Sequence, residues 1–171
     1  SQYLSDKSNN IKTDYPDAGL NEHNVMLSST HTHSGPAGYS HFLLYNMTAP
    51  GFVTEVYEAI VDAVAGAIGQ AIKRSEPGRV YVSQGEIPAH QKVAFNRSLK
   101  AYNQNPDVDP VPNDARNEAV DRNMTLLRFE SQDGISLGMF SFFAVHCTSY
   151  HSDNGLIDSD NKGVAARKFE K

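Results

Sequence analysis

Two histidines, His31 and His33, stand one residue apart in the stretch STHTHSGPAG at residues 29–38. Side chains alternate along an extended strand, so residues two apart lie on the same face. If the extended backbone continues through this stretch, both imidazoles point the same way. They could then bind a metal ion together, or one could bind the metal while the other contacts a substrate. Gly35 and Pro36 turn the chain away at a strand end, which is a common place for sites in α/β folds.

A third histidine, His146, ends the apolar run SFFAV at residues 141–145. A polar ring that follows a buried strand needs a partner, and neutral imidazoles are natural zinc ligands. Plainer alternatives remain open, namely a hydrogen-bonded surface pair at His31 and His33 and a core histidine at His146. Histidines at the tips of two predicted strands favour the metal site. The remaining histidines are interpreted as surface groups: His23, His41, His90 and His151.

Arg97 lies in the stretch AFNRSLKAY, just before a predicted long loop at residues 99–118 that is rich in Asn, Asp and Pro. An arginine here could hold a carbonyl oxygen or an oxyanion, although a solvated surface arginine is the commoner case. The carboxylates of DSDN at residues 158–161 lack the spacing of an EF-hand. They predict a capped turn before a final helix.

The elements that must position these side chains are predicted from hydrophobic periodicity. Residues 1–23 are polar and predict irregular structure, whereas the apolar run at residues 25–29 predicts a buried strand that leads into the histidine pair. Apolar residues at steps of three and four predict an amphipathic helix over residues 52–74. Pro77 and Gly78 end that helix.

The second half of the chain predicts mostly strands. Residues 79–83 form one, and the runs MTLLRFE and ISLGMFSFFAV form a β-hairpin around the Asp133-Gly134 pair. A last helix begins near Val164. The order favours an α/β fold, a mixed β-sheet flanked by helices. Because the chain starts without Met and ends in AARKFEK, we expect residues 1–171 to be part of a larger catalytic domain.

Composition excludes some function classes. The 171 residues suffice for one domain with a core, and no apolar run reaches the ~18 residues of a membrane-spanning helix. The net charge of -5 gives no electrostatic footprint for nucleic acid. Cys147 is the only cysteine and cannot form an intrachain disulfide, so the cysteine count does not indicate the cellular compartment. Sequons at Asn46, Asn96 and Asn123 lean towards a secreted glycoprotein.

Four segments stand in this order along the chain: NVMLSSTHTHSGPAGY, AFNRS, FFAVHCTSY and SDNKG. In order and separation they resemble the neutral/alkaline non-lysosomal ceramidases, from about Asn24 to Gly163, while residues 1–23 match poorly. The resemblance implies a zinc-dependent hydrolase of the amide bond of N-acylsphingosine (ceramide). Its products are sphingosine and a fatty acid. It also implies a lipid substrate at a membrane or micelle surface and a secreted or cell-surface location.

The same resemblance implies a role for each candidate residue. His31 and His146 correspond to zinc ligands, and His33 and Arg97 to residues that handle the substrate or the oxyanion. The resemblance further implies that a glutamate and a tyrosine much further along complete the zinc site, and that a separate segment carries a site serine. We therefore expect the remainder of the polypeptide to complete the site, and this fragment alone to be inactive.

Two rival interpretations stay open. An amidohydrolase barrel also begins with a strand and an HxH pair, but it needs eight strand–helix units, for which 171 residues are too few. A non-catalytic fragment or binding domain would keep the motif for structural reasons only. Zinc that is bound to the intact protein and lost in the His31→Ala variant would favour a catalytic role over that second rival.

Overall fold

The computed structural model describes residues 2–49 and 51–171. The helices are α1 (Gln2–Asp14), α2 (Leu43–Asn46), α3 (Thr54–Lys73), α4 (Leu99–Tyr102) and α5 (Asp160–Phe169). The strands are β1 (Gly78–Glu86), β2 (Asn123–Ser131) and β3 (Ser136–Phe143), and short 3-10 turns lie at Pro16–Ala18 and Asn113–Ala115. A sheet with several helices confirms the predicted α/β fold class. In the described part of the chain, no helix is long and apolar enough to cross a bilayer.

The chain divides into two compact units, one made of Ser1–Ser75 with Cys147–Lys171 and the other of Glu76–His146. Helix α3 is the longest element of the first unit and confirms the helix predicted over residues 52–74. Its buried residues are Val61 and Gly69. Tyr15 lies directly over Gly69, where an added Cβ would come within 3.3 Å of the tyrosine oxygen.

The prediction of irregular structure for residues 1–23 is wrong for helix α1. This helix packs against α3. Asp62 of α3 accepts a 2.8 Å hydrogen bond from the Tyr3 hydroxyl and forms a 2.8 Å ion pair with Lys7. The half-buried positions of α1 include Tyr3, Lys7 and Ile11, which recur every four residues. The sequence signal was missed because the face that packs is partly polar.

The buried strand predicted for residues 25–29 is also wrong. The segment has no regular secondary structure, and Met26 and Leu27 are 78% and 73% exposed. Val25 and Leu27 line an apolar groove together with residues of α1 and α3. A short apolar run does not by itself distinguish a strand from a loop segment, because pairing depends on a partner strand.

The second unit contains a three-stranded sheet in the order β1-β2-β3 with both pairs antiparallel. It confirms the predicted strand at residues 79–83 and the hairpin. The hairpin turn uses Gly134 at φ 83°, a conformation that glycine adopts readily. Antiparallel pairing also disfavours the amidohydrolase barrel, whose strands are parallel.

Strand β3 differs from the expectation of a buried strand that ends at His146. It stops at Phe143, and Phe140 and Phe142 are 62% and 46% exposed. Among the described elements, the three strands contact mainly one another, so these two side chains stay exposed. His146 therefore lies in the irregular segment that follows β3.

Helix α5 confirms the predicted last helix and begins at Asp160, four residues earlier than Val164. The Asp160 carboxylate is 2% exposed and accepts hydrogen bonds from the backbone N–H groups of Ser149, Tyr150 and Asn161. Burial raises the pKa of Asp160, but the hydrogen bonds, with those from Ser149 and Asn161 foremost, outweigh it and leave the pKa below the usual 3.8.

We expect Asp160→Asn to lower the free energy of unfolding at pH 7, because an amide cannot accept every hydrogen bond that the carboxylate accepts. The folded-state pKa is depressed, so this stabilisation is present above the unfolded value of 3.8 and is lost as pH falls through the folded value. Urea unfolding at pH 7 and pH 3 checks this, with exposed Asp153→Asn as control. An equal difference between variant and wild type at both pH values would contradict it.

The second expectation concerns α1. The hydrogen bond from Lys7, followed by that from Tyr3, lowers the pKa of Asp62, so the carboxylate is held in its charged form. Asp62→Asn removes that charge and weakens the attachment of α1 to α3. Hydrogen exchange over residues 2–14 should become faster, whereas Glu76→Gln should leave it unchanged. Unaltered exchange in Asp62→Asn would show that apolar contacts alone hold the helix.

Candidate metal centre

His31, His33 and His146 form the group that could hold a metal ion within the described ranges of the chain. One ring nitrogen of each lies within 4.8 Å of those of the other two. The rings of His31 and His33 meet edge to face, with centroids 4.7 Å apart and an interplanar angle of 79°. His146 directly precedes Cys147, which belongs to the same compact unit as the other two histidines. The convergence predicted for these three residues is therefore present.

The backbone conformation that brings His31 and His33 together differs from the predicted one. The expectation of an extended strand through His31 and His33 is wrong, because His31 adopts a left-handed conformation with φ 63° and a bend covers residues 33–35. A left-handed non-glycine residue costs on the order of 1 kcal/mol. That cost is offset by the contacts that hold the surrounding loop.

Two hydroxyl residues that alternate with the histidines anchor this loop. Thr32 donates a 2.6 Å hydrogen bond to the carbonyl oxygen of Asp158. Ser34 accepts a 3.0 Å hydrogen bond from the Asn154 side chain, and its carbonyl oxygen accepts one from the Asp158 N–H at 3.0 Å. Sequence reasoning missed these roles. The available signal was the alternation of hydroxyl and imidazole side chains in STHTHS.

Cys147 fixes the backbone next to His146. Its side chain is fully buried, and its single S–H is shared between the Thr30 carbonyl oxygen at 3.5 Å and the Asn161 side-chain oxygen at 3.3 Å. The thiol is not a member of the histidine group. The thiol contact holds the backbone that follows His146 close to Thr30, the residue before His31.

Arg97 lies outside the histidine group, in the unit made of Glu76–His146. The residue is exposed and stands two positions before α4. Its carbonyl oxygen accepts a 2.8 Å hydrogen bond from Arg116, which also donates to the Asn96 carbonyl oxygen at 3.0 Å. The backbone at Arg97 is thus held in place while the guanidinium remains on the surface.

The donor set fits a metal such as zinc. Three neutral imidazoles suit borderline-soft divalent ions, and tetrahedral zinc with bonds near 2.0–2.1 Å separates its nitrogen ligands by about 3.4 Å. The observed upper limit of 4.8 Å requires only small ring movements to reach that separation. The three rings are exposed, which leaves room for further ligands or a substrate.

A cleft of 930 Å³ lies beside the histidine pair. Its lining includes His31, His33, Tyr39, Tyr45 and Asn46. The segment that forms one wall continues into a strongly apolar exposed run, with Phe42, Leu43, Leu44 and Met47 each 70–80% exposed. The cleft thus combines nitrogen donors with an apolar surface.

Comparison with known proteins identifies the family. A family model described as neutral/alkaline non-lysosomal ceramidase, N-terminal, matches residues 7–171. Neutral ceramidase A of Dictyostelium discoideum is 45% identical over 148 residues, which cover 86% of this chain and 20% of that protein. Neutral ceramidase of Pseudomonas aeruginosa is 39% identical over 160 residues, or 94% of this chain and 22% of that protein.

The fold agrees with that of a solved relative. The crystal structure of neutral ceramidase from Pseudomonas aeruginosa superposes with a TM-score of 0.83 at 37% identity, and covers 98% of this chain and 25% of that chain. The chain thus spans about a fifth of the length of the curated relatives and a quarter of the solved one. These findings confirm the resemblance, and the chain belongs to the neutral/alkaline non-lysosomal ceramidase family.

Proposed function

We propose that this chain supplies part of the active site of a hydrolase that cleaves the amide bond of N-acylsphingosine to sphingosine and a fatty acid. The observation that carries the proposal is the convergence of His31, His33 and His146 in a member of this family. The chain spans about a fifth of its relatives, so the rest of the polypeptide supplies the remaining site residues. Residues 1–171 alone are then inactive.

In this proposal His31 and His146 hold a zinc ion. When bound, zinc polarises an amide carbonyl and makes a water molecule a stronger nucleophile at neutral pH. The left-handed backbone at His31 and the buried neighbour of His146 keep the two imidazoles in place before the metal arrives. Such preorganisation reduces the conformational entropy that metal binding would otherwise cost.

His33 and Arg97 act on the substrate. His33 lies edge to face with His31, so its ring is close to any carbonyl oxygen that the metal centre binds, and it can donate a hydrogen bond as negative charge develops there. The guanidinium of Arg97 stabilises the same negative charge. Neither role requires the residue to be a metal ligand.

The apolar wall of the cleft supports a lipid substrate. Tyr39 and Tyr45 line the cleft, and the neighbouring exposed residues from Phe42 to Met47 offer a surface for hydrocarbon chains at a membrane or micelle. A secreted or cell-surface location remains part of the proposal. Among the three sequons, Asn123 has the exposed side chain, which makes it the best glycan acceptor.

The metal roles predict different zinc contents in three variants of the intact protein. His31→Ala and His146→Ala should lose most bound zinc and all measurable ceramide hydrolysis, because each removes a ligand. His33→Ala should retain zinc but lose hydrolysis by roughly 100-fold or more. Elemental analysis and release of labelled fatty acid measure both quantities, with exposed His151→Ala as control.

Three results would contradict these roles. Loss of zinc from His33→Ala to the same degree as from His31→Ala would make His33 a ligand instead. Hydrolysis that survives both a chelator and His31→Ala would remove the metal mechanism. Full zinc occupancy without any amide hydrolysis would favour a non-catalytic metal site.

The role of Arg97 predicts a loss of turnover without a loss of metal. Arg97→Ala should lower kcat for ceramide by roughly 100-fold because one charged donor to the oxyanion is gone, and Arg97→Lys should recover part of it. Zinc content should stay at the wild-type level in both. The surface variant Arg74→Ala serves as control, and a kcat for Arg97→Ala equal to that control would exclude the residue from the site.

A further inference from the structure

Asn46 combines burial, an unpaired oxygen and a place in the cleft. Its side chain is 7% exposed although its neighbours Tyr45 and Met47 are both 70% exposed. Among the described residues, its Oδ1 is the buried side-chain oxygen or nitrogen without a hydrogen-bond partner. Asn46 also lines the cleft beside His31 and His33. A buried acceptor without a donor costs free energy, so its retention at this place needs an explanation.

The orientation of the amide is fixed by its other end. Nδ2 donates a 2.5 Å hydrogen bond to the Ser40 carbonyl oxygen. A carbonyl oxygen accepts and does not donate, so the amide nitrogen must face Ser40 and Oδ1 must face away from it. The oxygen can therefore be satisfied only by a group that brings its own N–H or O–H.

We propose that Asn46 Oδ1 binds a hydrogen-bond donor of the substrate's polar head, an amide N–H or a hydroxyl, and so favours amides that carry this donor. This rests on the proposed function, because the cleft is the one that contains the candidate catalytic histidines. The wall around Asn46 is largely exposed: Tyr39 and Tyr45, which also line the cleft, are 50% and 70% exposed. A site that pairs a buried polar group with a substrate donor rejects analogues that lack the donor.

Asn46 also lies in an N-x-T sequon, but its burial disfavours glycan attachment there. The side chain of Asn46 is 7% exposed, whereas Asn123 is exposed. Thr48 completes the sequon and is exposed. Thr48→Ala therefore removes the sequon and leaves the amide of Asn46 in place, which gives a matched control.

The test compares substrates as well as variants, in the intact protein. Wild type, Asn46→Leu and Thr48→Ala are assayed on N-acylsphingosine, on its N-methyl amide, and on analogues that lack one hydroxyl. We expect wild type to discriminate roughly tenfold in kcat/KM against one analogue, which identifies the donor. Asn46→Leu should lose roughly tenfold on the parent substrate and little on that same analogue, while Thr48→Ala should match wild type on every substrate.

The opposite results are equally distinct. A loss in Asn46→Leu that is equal on all substrates would assign Asn46 a structural role, or a role in holding a water molecule, and overturn the inference. Equal rates of wild type on all analogues would do the same, even if Asn46→Leu does not fold. A wild type that cleaves none of these amides would overturn the proposed function itself.

Discussion

The histidine group depends on hydrogen bonds between a loop near the start of the chain and segments near its end. Thr32 bonds to Asp158 across 126 residues, Ser34 to Asn154 across 120, and Thr30 to Cys147 across 117. Each bond engages a residue next to a histidine: Thr30, Thr32, Ser34 or Cys147. Because Cys147 follows His146, a single set of contacts positions residues from both segments.

The acidic group at the start of α5 supports the same region. Asp160 is almost fully buried. Its carboxylate accepts hydrogen bonds from the backbone N–H groups of Ser149, Tyr150 and Asn161. Asn161 in turn accepts from the Cys147 thiol. The charge of Asp160 is tolerated in its buried position because several donors face it, and those donors belong to the segment that follows His146.

The sequence predicted those parts of the structure that local patterns specify. Helix α3 has a regular apolar face, and the hairpin has Asp133-Gly134 at its turn, so both follow from neighbouring residues. The segment at residues 25–29 and helix α1 were predicted wrongly because tertiary contacts decide them. The first is an apolar run that has no pairing strand, and the second is a largely polar helix attached through Tyr3 and Lys7.

The three histidines of the candidate site were predicted to lie together, whereas the backbone conformation that brings them together was not predicted. Imidazole chemistry and the position of the histidines indicated a metal centre at His31 and His146. The left-handed conformation of His31 could not be predicted, because no glycine marks that position and the strain is offset by contacts more than 100 residues away. Asn46 carried only a sequon in the sequence, and its unpaired oxygen is visible only in three dimensions.

The length of the chain between the anchoring partners has a consequence for biosynthesis. His31 is translated long before Asn154 and Asp158. The loop around His31 therefore lacks these hydrogen-bond partners while about 120 residues are translated. Contacts of such large sequence separation form slowly, because the closing of the intervening chain is entropically unfavourable. The three imidazoles therefore reach their folded arrangement late, after these long-range contacts have formed.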